Sequence, residues 1–362
     1  MLWFYMRFTH GGNIFYYSKY FNLSEEKIYD FSVNLNPLYF PDNLKESISA
    51  NIDKLYYYPE IYADTLKEKI ASKYNCSTEQ IIIGNGSTQL IYLIPLALKI
   101  KKAVIIQPSF SEYERALKRV DASVVNFKLS EKKDFTLDID KLIKFLDKID
   151  YNALFLCNPS NPVGNLLGND KLTALAKFLR KNNKFFIIDE AFIDFTDSKS
   201  MIDKNINKCI ILRSLTKIFG IAGLRLGFLK TDIRTAKKLK ANIEPWSNNT
   251  LSLIAGEKLL NSETFIRKSK NFIKDERVFI TEEISAISEL KVFTSCTNYL
   301  LIKILTNNSV DNLERFLLKY NILIRNCSNF RGLNNKFFRI GLKNREANKI
   351  LIDKIKEFLG RG

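Results

Sequence analysis

Six short apolar segments, separated by helical patterns, dominate the first two thirds of the sequence. They lie near residues 80–84, 103–107, 123–127, 152–157, 184–189 and 208–213. A strand with an unbroken apolar sequence is buried on both faces, and such strands alternating with helices are typical of a parallel sheet covered by helices. With 362 residues, of which 46% are hydrophobic, the chain is long enough to bury this core. The sequence therefore predicts an α/β fold built on a mainly parallel sheet.

The pattern changes after Trp246. Residues 250–290 have the apolar spacing of one long amphipathic helix. Beyond it the sequence predicts strands over 299–304, 322–325 and 337–341, a helix around 310–320 and a final helix to Leu359. This mixture indicates a smaller α+β domain over residues 246–362, which follows a large domain over residues 41–245.

The most informative motif is Ser214-Leu215-Thr216-Lys217, which Arg225 follows eight residues later. A lysine amine is nucleophilic only when it is deprotonated, and burial beside other cations lowers its pKa. The hydroxyls of Ser214 and Thr216 and the guanidinium of Arg225 are groups that bind phosphate. This combination suits an aldehyde cofactor with a phosphate group, so the motif predicts that Lys217 forms an imine with pyridoxal 5'-phosphate.

Three other segments support this prediction. Asp189 ends the apolar segment near 184–189, where ligands of open α/β sheets bind; it either pairs with a protonated pyridine nitrogen or caps a helix. Asn161 lies in a turn-forming cluster, and its amide is predicted to donate to the cofactor's phenolic oxygen. Gly84-Asn85-Gly86-Ser87-Thr88 joins a strand to a helical pattern, which presents backbone N–H groups to a phosphate.

Charge and cysteine usage exclude several classes of function. The chain has 56 Lys and Arg against 39 Asp and Glu, a net charge of +17. Acids are interleaved with the lysines and no nucleic-acid-binding motif is present, so we predict no nucleic-acid partner; the charge instead favours attraction of an anionic substrate and cofactor. Five scattered cysteines without a Cys-x-x-Cys pair predict a cytoplasmic location and no metal site. The apolar residues 1–8 are too short for a secretory signal, and lysines interrupt the longer apolar stretches, so no membrane span is predicted.

Four motifs follow one another along the chain: the glycine turn, the Asn-Pro cluster, the strand-end aspartate and the lysine–arginine motif. In this order they resemble the motifs of the fold-type I pyridoxal-phosphate enzymes, the aspartate aminotransferase superfamily. From about His10 to Leu359 the chain is similar to histidinol-phosphate aminotransferases and, more closely, to the threonine-phosphate decarboxylases of cobalamin biosynthesis. The segments typical of the decarboxylases are His10-Gly11-Gly12-Asn13 and residues 30–37, 108–114, 189–195, 245–247 and 324–333. The resemblance implies a fold-type I transferase whose N-terminal arm, residues 1–40, packs with the small domain.

The resemblance also implies how the cofactor is held. Phe110 would stack on the pyridine ring, and backbone groups at Gly86, Ser87 and Thr88 would contact the phosphate. Tyr58 matches a tyrosine that reaches the phosphate from the neighbouring subunit, which implies a homodimer with active sites at the interface.

Substrate binding is implied for a further set of residues. Arg339 matches the arginine that binds the carboxylate of an amino acid, although a lone strand arginine is otherwise a surface ion pair. The positions that would surround the substrate or its phosphate are His10, Gly11, Asn34, Asn161 and Arg325. His10 is the only histidine in the chain, and the alternative for such a residue is a structural role.

One position departs from many aminotransferases of the superfamily. Phe192 replaces a tyrosine whose hydroxyl bonds the phenolic oxygen, a change that the decarboxylases accommodate. The implied reaction is decarboxylation of O-phospho-L-threonine to (R)-1-amino-2-propanol O-2-phosphate. Histidinol-phosphate transamination and serine-phosphate decarboxylation are the enzymatic alternatives, and a non-enzymatic cofactor-binding protein is a third.

Overall fold

A computed structural model describes residues 10–21 and 24–360, so the apolar residues 1–8 lie outside it. The strands of the described ranges are β1 Tyr29–Asp30, β2 Ile81–Asn85, β3 Lys102–Gln107, β4 Ser123–Lys128, β5 Ala153–Cys157, β6 Phe185–Asp189, β7 Cys209–Ser214, β8 Leu226–Lys230, β9 Leu290–Val292, β10 Tyr299–Ile304, β11 Ile322–Leu323, β12 Arg325–Asn326 and β13 Phe337–Gly341. The α-helices are α1 Ile14–Phe21, α2 Asn43–Ser49, α3 Asp64–Lys73, α4 Gly86–Ala97, α5 Glu112–Lys118, α6 Ile139–Leu146, α7 Asn169–Lys181, α8 Leu215–Ile218, α9 Ile233–Lys240, α10 Thr250–Leu259, α11 Glu263–Ser285, α12 Val310–Leu318 and α13 Arg345–Phe358.

A sheet that has seven strands within the described ranges forms the centre of what we call the large lobe. Its strand order is β2-β8-β7-β6-β5-β3-β4, in which β8 is antiparallel to both neighbours and the remaining pairs are parallel. Apolar clusters cover both faces of this sheet. The α/β prediction is confirmed, and β2 to β7 match the six predicted strands to within one residue at each end. Strand β8 was not predicted.

The small lobe is built on a second sheet, with the order β12-β13-β10-β9 and antiparallel pairing throughout. The predicted helix over 250–290 is wrong, because the structure has two helices that Leu260, Asn261 and Ser262 separate. Asn and Ser side chains compete for backbone hydrogen bonds and so favour helix ends. The predicted strand over 322–325 is also divided: β11 pairs with β1, whereas β12 pairs with β13.

The segment after β1 connects the N-terminal part of the chain to the small lobe. The backbone N–H of Phe31 donates to the carbonyl of Leu323, and the N–H of Gly341 donates to the carbonyl of Phe31 at 2.7 Å. A Cβ atom on Gly341 would overlap the carbonyl of Val33. The glycine therefore allows residues 31–34 to lie against β13, two residues beyond Arg339.

None of the helices in residues 10–21 and 24–360 is long and apolar enough to cross a lipid bilayer.

We expect Gly341→Ala to destabilise the protein, because the added methyl group must displace the backbone at Val33. Overpacking of this kind costs about 1–3 kcal/mol, and thermal denaturation should show a lower melting temperature. Gly168→Ala is the matched control, since a Cβ there meets no atom within 4 Å. Equal melting temperatures for the two variants would contradict the assignment of Gly341 as a packing constraint.

Candidate active site

A cleft of about 400 Å³ opens at the carboxyl ends of β6 and β7, between the two lobes. Parallel strands bring their last residues to one edge of the sheet, and that edge is where ligands bind in such folds. All the predicted site residues except Tyr58 line this cleft: His10, Gly11, Asn34, Gly86, Ser87, Thr88, Phe110, Asn161, Asp189, Ser214, Thr216, Lys217, Arg225, Arg325 and Arg339.

One end of the cleft has the donors that a phosphate group requires. Helix α4 begins at Gly86, so the backbone N–H groups of its first turn have no partner within the helix. The hydroxyls of Ser214 and Thr216 lie 2.8 Å apart beside it. Gly86 has a φ of +74°, and a Cβ atom there would approach Nη2 of Arg225 to 2.7 Å. The positive φ favours glycine at this position, and the missing Cβ leaves room for the guanidinium beside this helix end.

Lys217 lies on α8, one turn after the end of β7. Burial lowers the pKa of its amine to about 8, and the cations Arg339 and Arg225 add to this effect. The carboxylate of Asp189 acts in the opposite direction. A larger fraction of this amine than of an ordinary lysine is neutral near physiological pH, which is the condition for attack on an aldehyde.

Asp189 ends β6, and both of its carboxylate oxygens have donors. The hydroxyl of Tyr113 donates to Oδ2 at 2.6 Å, and the backbone N–H of Ala191 donates to Oδ1 at 3.0 Å. Burial raises the pKa of Asp189, while these two hydrogen bonds lower it. Tyr113 also contacts Phe110 edge-on, with 5.9 Å between the ring centroids. Tyr113 thus connects the predicted stacking residue with the predicted partner of the pyridine nitrogen.

Arg339 lies on β13 and is buried at the floor of the cleft. Its Nη1 donates to Oδ1 of Asn161, and its Nη2 donates to the carbonyl of Ser32 at 2.9 Å. The first contact leaves Nδ2 of Asn161 as the end of the amide that is able to donate. Burial lowers the pKa of Arg339 to about 10. The Nε atom of Arg339 is buried and has no hydrogen-bond partner among the described residues. An anion bound beside Nε would accept this hydrogen bond.

Arg325 lies directly opposite Arg339 in the pairing of β12 with β13. Its Nη2 donates to Oδ1 of Asn329 at 2.8 Å, and its guanidinium lies over the ring of Phe330 at 5.0 Å. Two buried arginines on neighbouring strands repel each other unless anions lie between or beside them. His10 is a further residue predicted to surround the substrate phosphate. Its ring lies 5.5 Å from that of Phe110, measured between the ring centroids.

Phe192 is buried and meets the ring of Tyr299 edge-on at 4.9 Å. The hydroxyl of Tyr299 donates to the carbonyl of Ser160 at 2.7 Å and is therefore already engaged. Neither ring places a free hydroxyl next to Asn161.

Tyr58 does not line the cleft of its own chain. Its side chain is 84% exposed, and its ring lies 5.3 Å from that of Trp246.

Sequence analysis missed three functional contacts, which come from consecutive residues of α5. Glu112 accepts from Nε2 of His10 at 2.8 Å, Tyr113 donates to Asp189, and Glu114 forms a two-point ion pair with Arg331 of the small lobe. Hydrogen bonds from Arg331 lower the pKa of Glu114 to about 2. The segment 108–114 resembles the decarboxylases, but no spacing rule links its acids to partners so distant in the sequence.

The donor set fits pyridoxal 5'-phosphate. The glycine-lined helix end, the paired hydroxyls and Arg225 suit the phosphate; Lys217 suits the aldehyde; and Asp189 suits a protonated ring nitrogen. The residues that would hold the cofactor thus lie in three separate parts of one cleft. This matches the phosphate, the aldehyde and the ring nitrogen, which lie at three separate positions on the cofactor.

Two curated relatives match nearly the whole chain. The adenosylcobalamin biosynthesis bifunctional protein of Leptospira interrogans is 37% identical over 95% of this chain, which spans only 40% of that longer protein. The threonine-phosphate decarboxylase of Salmonella typhimurium is 32% identical over 97% of this chain and 96% of its own length.

Two crystal structures have the same fold. The histidinol-phosphate aminotransferase of Clostridium acetobutylicum superposes with a TM-score of 0.86 at 32% identity, over 92% of this chain and 100% of its own. The L-threonine-O-3-phosphate decarboxylase of Porphyromonas gingivalis superposes with a TM-score of 0.83 at 25% identity, with the same coverage. The sequence profile described as aminotransferase class I and II matches residues 26–355, and the chain belongs to that family.

Proposed function

We propose that the protein decarboxylates O-phospho-L-threonine to (R)-1-amino-2-propanol O-2-phosphate, with pyridoxal 5'-phosphate as cofactor, for the corrinoid side chain of cobalamin. The observation that carries the proposal is the pair of buried arginines, Arg325 and Arg339, opposite each other on neighbouring strands beside Lys217. A phosphorylated amino acid has two anionic groups, and the cleft has one arginine for each. The name of the Salmonella relative supports the same substrate.

Each part of the substrate has a candidate anchor. Arg339 would bind the carboxylate, through Nε and the N–H groups that Asn161 and Ser32 leave free. Arg325, His10 and Asn34 would surround the phosphate, with the backbone of Gly11 close by. Gly11 has no Cβ, which would overlap Ser32, so the backbone beside His10 is able to approach Ser32 closely.

The cofactor would be held by the three groups described above. The N–H groups of Gly86, Ser87 and Thr88, the hydroxyls of Ser214 and Thr216, and Arg225 would bind its phosphate. Phe110 would cover the ring, Asp189 would pair with the ring nitrogen, and Nδ2 of Asn161 would donate to the phenolic oxygen. When bound, pyridoxal phosphate accepts the electrons of the bond that breaks at Cα of the substrate.

Lys217 has two tasks in this scheme. Its neutral amine would hold the cofactor at the aldehyde group. With a pKa lowered to about 8, the same amine would be able to take up a proton from the ammonium group of the substrate and to deliver one to Cα.

The substrate anchors choose which bond breaks, because electrons flow into the cofactor only from the bond that stands perpendicular to its ring. Fixing the carboxylate and the phosphate at two neighbouring arginines leaves the amino acid little rotational freedom about Cα. Transamination of histidinol phosphate is the second candidate, and the structural similarity to the Clostridium aminotransferase favours it. That substrate has a phosphate but no carboxylate for Arg339. Serine phosphate differs from threonine phosphate by one methyl group, which a pocket distinguishes by only about 1–3 kcal/mol.

The proposed assembly is a homodimer, in which Tyr58 reaches the phosphate site of the neighbouring subunit. Tyr56, Tyr57 and Tyr58 are each at least 69% exposed, and Trp246 lies beside them. Arg225 is exposed at the open side of the phosphate site, where a partner's side chain has access. We also propose a cytoplasmic location, which the five free cysteines support.

Purified protein loaded with pyridoxal phosphate should release carbon dioxide and aminopropanol phosphate from O-phospho-L-threonine without a keto acid. Histidinol phosphate with 2-oxoglutarate, assayed in parallel, should give little glutamate. Serine phosphate serves as the third substrate. Glutamate formation without decarboxylation would replace the proposed reaction by the transaminase reaction.

Lys217→Ala should abolish covalent attachment of the cofactor, because Lys217 is the only lysine that lines the cleft within the described part of the chain. The measurement is the visible absorbance of the purified variant and the mass of the protein after borohydride reduction. Lys240→Ala, which removes a lysine of α9 that lies over Tyr62, is the control and should keep both signals. A borohydride-stable adduct on Lys217→Ala would refute the assignment.

The rate at which cofactor-free protein attaches pyridoxal phosphate should rise with pH and level off above about 8, because only the neutral amine of Lys217 reacts. Arg339→Gln removes a cation that lowers this pKa, so its profile should move to higher pH. Arg325→Gln is the control, since Arg339, Arg225 and Asp189 are the charges that act on Lys217. Coincident profiles for Arg339→Gln and the unmodified protein would contradict this electrostatic account.

A further inference from the structure

Glu112 is a carboxylate in the wall of the cleft that the proposed mechanism leaves without a task. Its side chain is only 8% exposed. Its Oε2 accepts from the hydroxyl of Tyr92 at 2.6 Å, while its Oε1 accepts from Nη1 of Arg115 at 3.1 Å and from His10 Nε2 at 2.8 Å. Glu112 belongs to the large lobe and His10 to the N-terminal arm, so this contact joins two separate parts of the site.

The protonation of Glu112 determines the tautomer of His10. Burial acts to raise the pKa of Glu112, but the hydrogen bonds from Tyr92, Arg115 and His10 together hold it below its ordinary value. A carboxylate without a proton is only an acceptor. The 2.8 Å contact therefore requires a proton on Nε2 of His10, and it leaves Nδ1 as the ring nitrogen available to a ligand.

The charge of His10 is balanced between opposing neighbours. Burial lowers the pKa of His10, Glu112 raises it, and Arg325 and Arg115 lower it. These are the charged groups that face His10 from β12 and α5. A phosphate dianion beside Nδ1 adds a second negative charge, which favours the imidazolium form. In that form Nδ1 carries a proton and donates to the phosphate, while Nε2 still donates to Glu112.

We infer that Glu112 is a positioning residue: it holds His10 by Nε2 and thereby presents Nδ1 as a charged donor to the phosphate of the substrate. The inference rests on the proposed function for the identity of the substrate, but the tautomer of His10 is independent of it. The same chemistry makes the site selective for dianionic ligands, because a ligand without a dianionic group does not supply the negative charge that favours protonation of His10.

His10 is the only histidine in the chain, so its imidazole is observed without assignment ambiguity. Protein labelled with ¹⁵N-histidine, carried on a tag without histidine and loaded with cofactor, should show the Nε2–H tautomer by long-range ¹H–¹⁵N correlation. Adding inorganic phosphate should raise the pKa of His10. Glu112→Gln should lower the pKa of His10 in the free protein and remove the preference for Nε2–H.

The kinetic test uses O-phospho-L-threonine. A hydrogen bond to a charged group corresponds to about a 10- to 100-fold change in equilibrium constant, so Glu112→Gln should lower kcat/KM by this factor, mostly through KM. His10→Asn should have the same effect, and the double variant should be no worse than His10→Asn alone. Glu68→Gln, which removes an exposed acid of α3, is the charge-matched control.

If Glu112→Gln fails to fold, Glu112→Asp retains the charge but withdraws it from His10, and it should give the same rise in KM. A dominant Nδ1–H tautomer in the unmodified protein would overturn the inference, as would an unchanged pKa of His10 in Glu112→Gln. Additive losses in the double variant would also overturn it. No turnover of phosphothreonine, together with the expected tautomer and phosphate response, would reject the proposed substrate and leave the role of Glu112 in place.

Discussion

The whole site depends on the register of three parallel strands. In that register Cys157 lies opposite Asp189, and Asp189 lies opposite Leu212. The strands therefore end close together, with Asp189 and Ser214 as the last residues of β6 and β7 and Asn161 four residues beyond the end of β5. A slip of one residue would exchange the two faces of a strand, so that both apolar clusters would have to repack and Asp189 would move to the opposite face of the sheet. Packing of the sheet thus fixes where the polar groups can lie.

The second constraint is electrostatic. Lys217, Arg225, Arg325 and Arg339 line one cleft whose acids include Asp189 and Glu112. Burial lowers the pKa of Lys217 to about 8 and that of Arg339 to about 10. Neighbouring cations add to the effect: Arg339 and Arg225 for Lys217, and Arg325 for Arg339. The cations that add to the effect of burial on Lys217 also make the cleft receptive to phosphate and carboxylate groups. Reactivity of the lysine and recognition of anions therefore depend in part on the same residues.

The sequence predicted the parts that depend on local pattern. The strands β2 to β7 were located because each is short, apolar and bounded by turn residues, and Asp189 was identified because it ends one of them. Lys217 and Arg225 were identified from the motif Ser214-Leu215-Thr216-Lys217 and the arginine that follows it. The small lobe was predicted less well. The helix break at Asn261 is indicated only by the weak preference of Asn and Ser for helix ends, and the change of pairing partner after Leu323 depends on tertiary packing. The contacts of α5 could not be predicted at all. They join residues 76, 102 and 217 positions apart, and nothing in the local pattern specifies such pairs.

Three parts of the molecule depend on the length of the loop before α5, because the first turn of this helix contacts all three. Glu112, Tyr113 and Glu114 contact the N-terminal arm, the strand-end aspartate and the small lobe, in that order. Successive residues of an α-helix differ by about 100° in direction. Insertion or loss of a single residue before Glu112 would turn all three side chains away from their partners at once. A change of loop length that is neutral elsewhere on the surface would therefore be harmful here. A substitution at any one of these three positions also has to preserve the orientation of the helix, on which the other two contacts depend.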